Sequence, residues 1–133
     1  MKKHLKSIMV MVVLTTLCFH TALASIAVPY ADSVFSSAGV SLSSSIKATY
    51  SANTRAKCSV IKVSSCTLQI KDGSNWSDSS SLTAPTTIAT NTSVFKATGS
   101  YSSSCTLGNT YRIKAIFDAD GHQITRYSNE VSY

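Results

Sequence analysis

The chain has 133 residues, with 12 Lys and Arg against 6 Asp and Glu and only 14% charged side chains. That length bounds it to one domain. So low a charged fraction beside four cysteines sets it apart from an ordinary soluble enzyme of a single compartment, and the first two dozen residues explain part of the difference.

Residues 1–24 read as an export signal. Met1-Lys2-Lys3-His4-Leu5-Lys6 is a basic start, Ile8 to Phe19 is an apolar stretch, and Ala22-Leu23-Ala24 is a small-x-small cleavage site, with Ala27 as second choice. About twelve apolar residues are too few to span a bilayer, which needs roughly 20, and no second apolar run follows in the mature chain. Bulky Leu17 directly before Cys18 argues against lipidation of that cysteine. Losing Lys2, Lys3 and Lys6 lowers the formal charge from +6 to +3. A charge of that size aids solubility and is far from the clustered stripe of a nucleic-acid binder.

The mature chain from Ser25 carries 24 Ser and 12 Thr. Ser and Thr compete with helical backbone bonding, and Thr favours strands, so the expected fold class is all-β with polar outer faces. Residues 25–38 read as an N-terminal leader, partly pinned by Val34 and Phe35, and residues 39–133 as the domain.

From Gly39 the pattern has period two. Val40 and Leu42 alternate with Ser; Ile46, Ala48 and Tyr50 alternate with Lys47, Thr49 and Ser51. A polar gap is expected over Ser51 to Ser59. Ile61 and Val63 then have the opposite parity to Cys66, Leu68 and Ile70, so a bulge at Ser64-Ser65 is needed to put both sets on one face. Lys71-Asp72-Gly73-Ser74-Asn75-Trp76 reads as a hairpin whose Asp-Gly pair suits positive φ, with Trp76 folding back on the preceding strand. Ser77 to Asn91 reads as loop or edge strand. Val94, Phe95, Ala97 and Tyr101 form another strand, and Tyr111, Ile113, Ala115 and Phe117 give a long alternation. Asp118 to His122 turns the chain, and Ile124 through Tyr133 closes it. About seven short strands predict a two-sheet antiparallel β-sandwich, its core formed by Ile61, Val63, Leu68, Ile70, Trp76, Phe95, Ile113, Ala115 and Phe117.

Cys105-Thr106-Leu107-Gly108-Asn109-Thr110-Tyr111-Arg112-Ile113-Lys114-Ala115 resembles the corner and sixth strand of fibronectin type III and related immunoglobulin-like domains. The resemblance implies a tyrosine-corner role for Tyr111, its hydroxyl bonded to nearby backbone, and puts Cys105 where the family has a buried Leu. Leu107 stands where the family has Pro before the Gly, and the family's early-strand Trp has no counterpart. The order of signal, leader, hairpin, Gly-x-x-Tyr-Arg strand and Tyr-Ser terminal strand also resembles short secreted proteins of unknown function from Gram-positive bacteria, a likeness that implies no activity.

Three cysteines follow the signal: Cys58, Cys66 and Cys105. An odd number of thiols in an oxidising compartment suggests one bridge and one free cysteine. If the strand from Cys58 to Cys66 is extended, these two lie about 26 Å apart, beyond disulfide reach. Cys58 and Cys105 fall at opposite poles of an up-and-down path. Cys66 points inward from its strand and the resemblance puts Cys105 in the place of a buried Leu on the facing sheet, so the pairing expected is Cys66–Cys105, leaving Cys58 free.

The residues offer little chemistry. His122 is the only histidine after the signal and sits in the turn Asp118-Ala119-Asp120-Gly121-His122, where turn chemistry accounts for Asp, Gly and His; catalysis is not expected. Asp-x-Asp-Gly in that turn is a fragment of a calcium loop without the bidentate Glu that completes one. Neither a zinc spacing nor a phosphate-binding Gly loop is present, so no cofactor is expected.

One surface signal remains. With Tyr111, Ile113, Ala115 and Phe117 facing in, Arg112 and Lys114 face out, and Lys62, Lys71 and Arg126 are expected on the same sheet face. The plain reading is a solvated face; the sharper one is a contact surface for an anionic partner, a cell-wall polymer, glycan or protein surface. The function expected is that of a secreted, non-catalytic domain that binds or decorates a cell surface or extracellular partner. The alternative is a small secreted effector, an antagonistic peptide or inhibitor.

Overall fold

The computed structural model of the chain describes residues 34–133. The export signal and most of the leader lie outside the described residues. The domain is all-β. β1 (Phe35–Leu42), β2 (Lys47–Asp72), β3 (Asn75–Leu82), β4 (Ile88–Ser100), β5 (Thr110–Ala119), β6 (His122–Tyr127) and β7 (Val131–Ser132) form one antiparallel sheet of seven strands. A 3-10 turn, Ser102–Ser104, follows β4. Among the described residues no helix is long and apolar enough to cross a membrane.

The sheet is organised by β2, whose 26 residues pair with four other strands. Ala48 to Asn53 bond β1 on one edge and β4 on the other; Cys66 to Ile70 bond β5 on one edge and β3 on the other. Ile61 joins the two regions, pairing with Ala89 of β4 and Ala119 of β5. β1 and β5 thus succeed each other along one edge of β2, and β4 and β3 along the opposite edge. The outer edge of β5 carries β6 and then β7.

Ser51 to Ser59, expected as a gap, is continuous strand, and β1 starts at Phe35 instead of Gly39. The polar residues there are the solvent side of a half-buried strand: Ala52 and Thr54 are buried between exposed Ser51, Asn53 and Arg55. The register slips between Asn53 and Cys58 against β4, and the slip keeps Cys58 on the buried side. Thr54 Oγ1 donates to the Ala56 carbonyl at 2.7 Å within this bulge. The second irregularity lies between Val63 and Ser65 against β5, where the parity change requires it, and Ile61, Val63, Cys66 and Leu68 all point inward.

The core runs through both halves of the sheet. Phe117 of β5 meets Tyr50 of β2 and Phe95 of β4 edge-on, each with ring centroids 6.3 Å apart, the geometry aromatic quadrupoles favour. Ile46 is fully buried at φ 55, an unusual conformation for a β-branched residue. Two expected core residues differ: Ile70 is only half-buried, and Trp76 lies on the outer face because it pairs directly with Lys71. The free edge of β1 is closed by side chains. The Asn129 carboxamide bonds both the amide and the carbonyl of Leu42 at 2.8 Å, taking the place of a strand, and Arg126 Nε donates to the Ala38 carbonyl at 3.1 Å.

Candidate functional site

The expected basic face divides. On the outer side of β2 and β5, Lys62 lies opposite Asp118, and Arg112 opposite Gln69. Lys71 Nζ reaches Glu130 at 2.7 Å and Lys114 Nζ lies 3.9 Å from Asp78. Arg112 donates from Nε to Gln69 Oε1 at 2.7 Å, and its guanidinium is held between the rings of Trp76 and Tyr127, 4.3 and 4.4 Å from their centroids. Lys71 also sits 5.7 Å from the Trp76 ring. Lys62, Lys71, Arg112 and Lys114 thus share a face, but three carboxylates stand among them, so most of the positive charge is cancelled locally. Arg126 is not part of this face: it pairs with inward-facing Ala115 and extends towards β1.

A second set of cations lies elsewhere, two of them, Arg55 and Lys57, within the stretch expected as a polar gap. Lys47 and Lys96 stand on the outer side of the β1–β2–β4 half, where Lys47 pairs with Ser100 and Lys96 with Ser51. Arg55 and Lys57 occupy the exposed bulge of β2. Among the described residues none of these four lies within ion-pair distance of a carboxylate. Period-two alternation places Ser37, Gly39 and Ser41 of β1, Thr49, Ser51 and Asn53 of β2, and Val94 and Thr98 of β4 on this face. The result is an array of hydroxyl and amide groups with dispersed positive charge. An open depression of about 380 Å³ indents one end, lined by Lys47, Ala48, Thr49, Thr98, Gly99 and Ser100.

A second cleft of about 310 Å³ is lined by Val34, Arg55, Ala56, Cys58, Asp120 and His122. Its residue types invite a catalytic reading, yet Asp120 has a structural task. Its two carboxylate oxygens accept the amides of Ser59 and Val60, both at 2.8 Å. Asp118 likewise serves the turn, accepting from the Gly121 amide at 3.1 Å and from Gln123 Nε2 at 3.1 Å. Among the described residues no group of three or more His, Cys, Asp or Glu is placed to hold a metal ion.

Cys58, Cys66 and Cys105 are free thiols, so the expected Cys66–Cys105 bridge is not formed. Cys66 points inward as expected, but its thiol donates to the Tyr50 hydroxyl at 3.3 Å. Cys105 follows the 3-10 turn and is only half-buried, not a core position on a facing strand. Burial pushes the thiols of both residues upward in pKa, which leaves them protonated and poorly nucleophilic. Tyr111 has the bond implied for it: its hydroxyl accepts from the Thr106 amide at 2.9 Å, five residues upstream, with Gly108 at φ 87 making the corner.

No family model, curated protein or solved structure matches the chain.

Proposed function

We propose that the chain is an exported, non-catalytic binding domain that holds an anionic extracellular partner against the outer face of β1, β2 and β4. The observation that carries this reading is the separation of charge. Among the described residues Lys47, Arg55, Lys57 and Lys96 lie within ion-pair distance of no carboxylate, and β1, β4 and the Lys47–Lys62 part of β2 carry no Asp or Glu, whereas Lys71 and Lys114 are each paired. An exposed cation with a fixed partner has little left to offer a ligand; a cation surrounded by hydroxyls keeps its field. Export is supported by the pattern of residues 1–24.

The domain is read as a two-layer, immunoglobulin-like sandwich in which the long β2 belongs to both layers. The Tyr111 corner and the edge-on meeting of Tyr50 and Phe95 with Phe117 support this, and the likeness to secreted Gram-positive proteins belongs to the same reading.

The test is retention of the mature chain on an anionic matrix, such as heparin or isolated cell-wall polymer, as salt is raised. A basic side chain near an anionic surface contributes about 1 kcal/mol, so reversing Lys47 and Lys96 to Glu should weaken binding more than tenfold. The reversals Lys71→Glu and Lys114→Glu serve as the comparison. Equal loss from both pairs would return the site to the β2–β5 face, and no binding by the parent chain would end the proposal.

A further inference from the structure

Resting on that reading, we infer that the ligand is an extended polyanion without stacking bases, a polyol-phosphate chain lying along β2 and β4, and not a small anion. The inference comes from how the cations are spaced. Lys47 is opposite Ser100, and Lys96 is four residues further along β4. At about 3.3 Å per residue the two are roughly 13 Å apart. The bulge that carries Arg55 and Lys57 falls opposite Ser93, between the Asn53–Val94 and Cys58–Thr92 pairs. That is seven residues from Ser100, or about 23 Å along the strand.

These intervals exceed the Debye length, which is about 8 Å at physiological ionic strength. A phosphate or sulfate bound at Lys47 is therefore screened from Lys96 and from the bulge, and gains from one exposed cation only, an interaction too weak to hold it. A linear polymer is different. Once one repeat unit is held, the next cation sees the following units at high effective concentration, and affinity rises with each cation reached. Displaced counterions add to this and make the binding steeply salt-dependent.

The rest of the face indicates which polymer. No aromatic side chain stands among Ser37, Ser41, Thr49, Ser51, Asn53 and Thr98, and single-stranded nucleic acid is ordinarily held by stacking bases on aromatic rings. Hydroxyl and amide groups instead suit the phosphates and hydroxyls of a polyol chain. The depression lined by Lys47, Thr49, Thr98 and Ser100 offers one end of the track a place to seat a repeat unit. The pairing of β2 with β4 is antiparallel and unbroken from Lys47–Ser100 to Asn53–Val94, next to the bulge.

The experiment is a length series on the full mature chain, using pyrophosphate, tripolyphosphate and long-chain inorganic polyphosphate as probes, with heparin fragments as a second series and oligo-dT of matched charge as a third. Affinity is compared per anionic unit. The expected result is no measurable binding of pyrophosphate or tripolyphosphate, and a rise of more than tenfold per unit once the chain spans Lys47 to the bulge. Above that length the curve levels. Lys96→Ala should lower the affinity of long chains several-fold without changing thermal unfolding, and Lys114→Ala should leave it unaltered. Short and long probes binding equally per unit would overturn the inference while leaving the anionic face intact. Stronger binding of oligo-dT than of polyphosphate would overturn the class of polymer. Binding by none of the three series would remove the underlying function as well.

Discussion

Asp120 and Val60 hold each other from both sides: the Asp120 carboxylate accepts the Val60 amide at 2.8 Å, and the Asp120 amide donates to the Val60 carbonyl at 3.1 Å. The bond lies where β2 changes partners. On that edge the β1 pairing ends at Thr54 and the β5 pairing begins at Ile61. Without the carboxylate, the amides of Ser59 and Val60 lose these acceptors. Asp120 achieves this from φ 51, a conformation Asp tolerates better than most residues.

Replacing Asp120 with Ala should therefore cost about 1–3 kcal/mol, the range for leaving backbone donors unsatisfied, reduced towards the lower end by solvent access. Asp120→Asn should recover part of it, because one carboxamide oxygen replaces two carboxylate oxygens. Denaturant unfolding of the three proteins checks this, and a loss under about 0.5 kcal/mol in the Ala variant would reduce the bond to an ornament of the turn.

At the opposite end of β4, Gly99 is required by its neighbour. It faces inward opposite buried Ala48, and a Cβ placed there would collide with the ring and hydroxyl of Tyr101. Tyr101 is held in place by accepting from the Tyr50 hydroxyl at 2.9 Å and donating to the Thr83 carbonyl at 3.1 Å. Gly99→Ala is predicted to cost about 1–3 kcal/mol by overpacking. The same change made in a Tyr101→Ala background should cost little more than Tyr101→Ala alone, since two residues in contact do not act additively. Full additivity in denaturant unfolding would place the cost in the backbone of β4 instead.

The same buried chain predicts an alkaline limit to stability. Cys66 donates to Tyr50, Tyr50 to Tyr101, and Tyr101 to a backbone carbonyl. Burial pushes all three groups above their ordinary pKa values. Each is an acid whose folded state keeps the proton that the unfolded chain releases, so its contribution is complete below the unfolded pKa and is lost as pH rises towards the folded value. Stability should begin to fall above about pH 8.5, where an unfolded thiol ionises, and more steeply above about pH 10, where phenols follow. Each group contributes a slope of at most about 1.4 kcal/mol per pH unit. Cys66→Ala should flatten the fall between the two thresholds, and unfolding midpoints across that range that do not separate variant from parent would contradict the assignment.

Much of this was legible in the residues because period-two alternation is a strong signal wherever one face is buried. Val63 and Cys66 show it best: their conflicting parity requires an extra residue at Ser64-Ser65, and the register shift lies there. The Asp72-Gly73 turn and the inward set of β5 were equally plain. Ser51 to Ser59 was misread because its buried positions are Ala52, Thr54 and, after a register slip, Cys58, too small, too polar or too irregularly spaced to look like core. Trp76 was misread because size suggested burial, whereas the two-residue turn fixes it opposite Lys71 and so on the outer face. The candidate site was the least legible part. Ion pairing between Lys71 and Glu130 joins residues far apart in the chain, and no local pattern tells a compensated lysine from an uncompensated one.

Trp76 consequently has a different task from the core role expected of it, and it can be measured. The Arg112 guanidinium lies between Trp76 and Tyr127, its Nε bonded to Gln69. Arg is suited to such a place because its planar group stacks between two rings while its edge donates, whereas a Lys ammonium has no planar face to stack. A double-mutant cycle of Trp76→Ala and Arg112→Ala should give a coupling of about 0.5–1 kcal/mol, the value of a partly exposed cation–π contact. Arg112→Lys should lose most of that coupling while keeping the charge. Trp76 is the chain's only tryptophan, so its emission reports the contact directly and should shift in both Arg112 variants. Binding to long polyanions should be unchanged in Arg112→Lys, because this stack lies on the charge-compensated face. Loss of binding with no coupling would assign Arg112 to ligand recognition and not to holding β3 and β6 against β5.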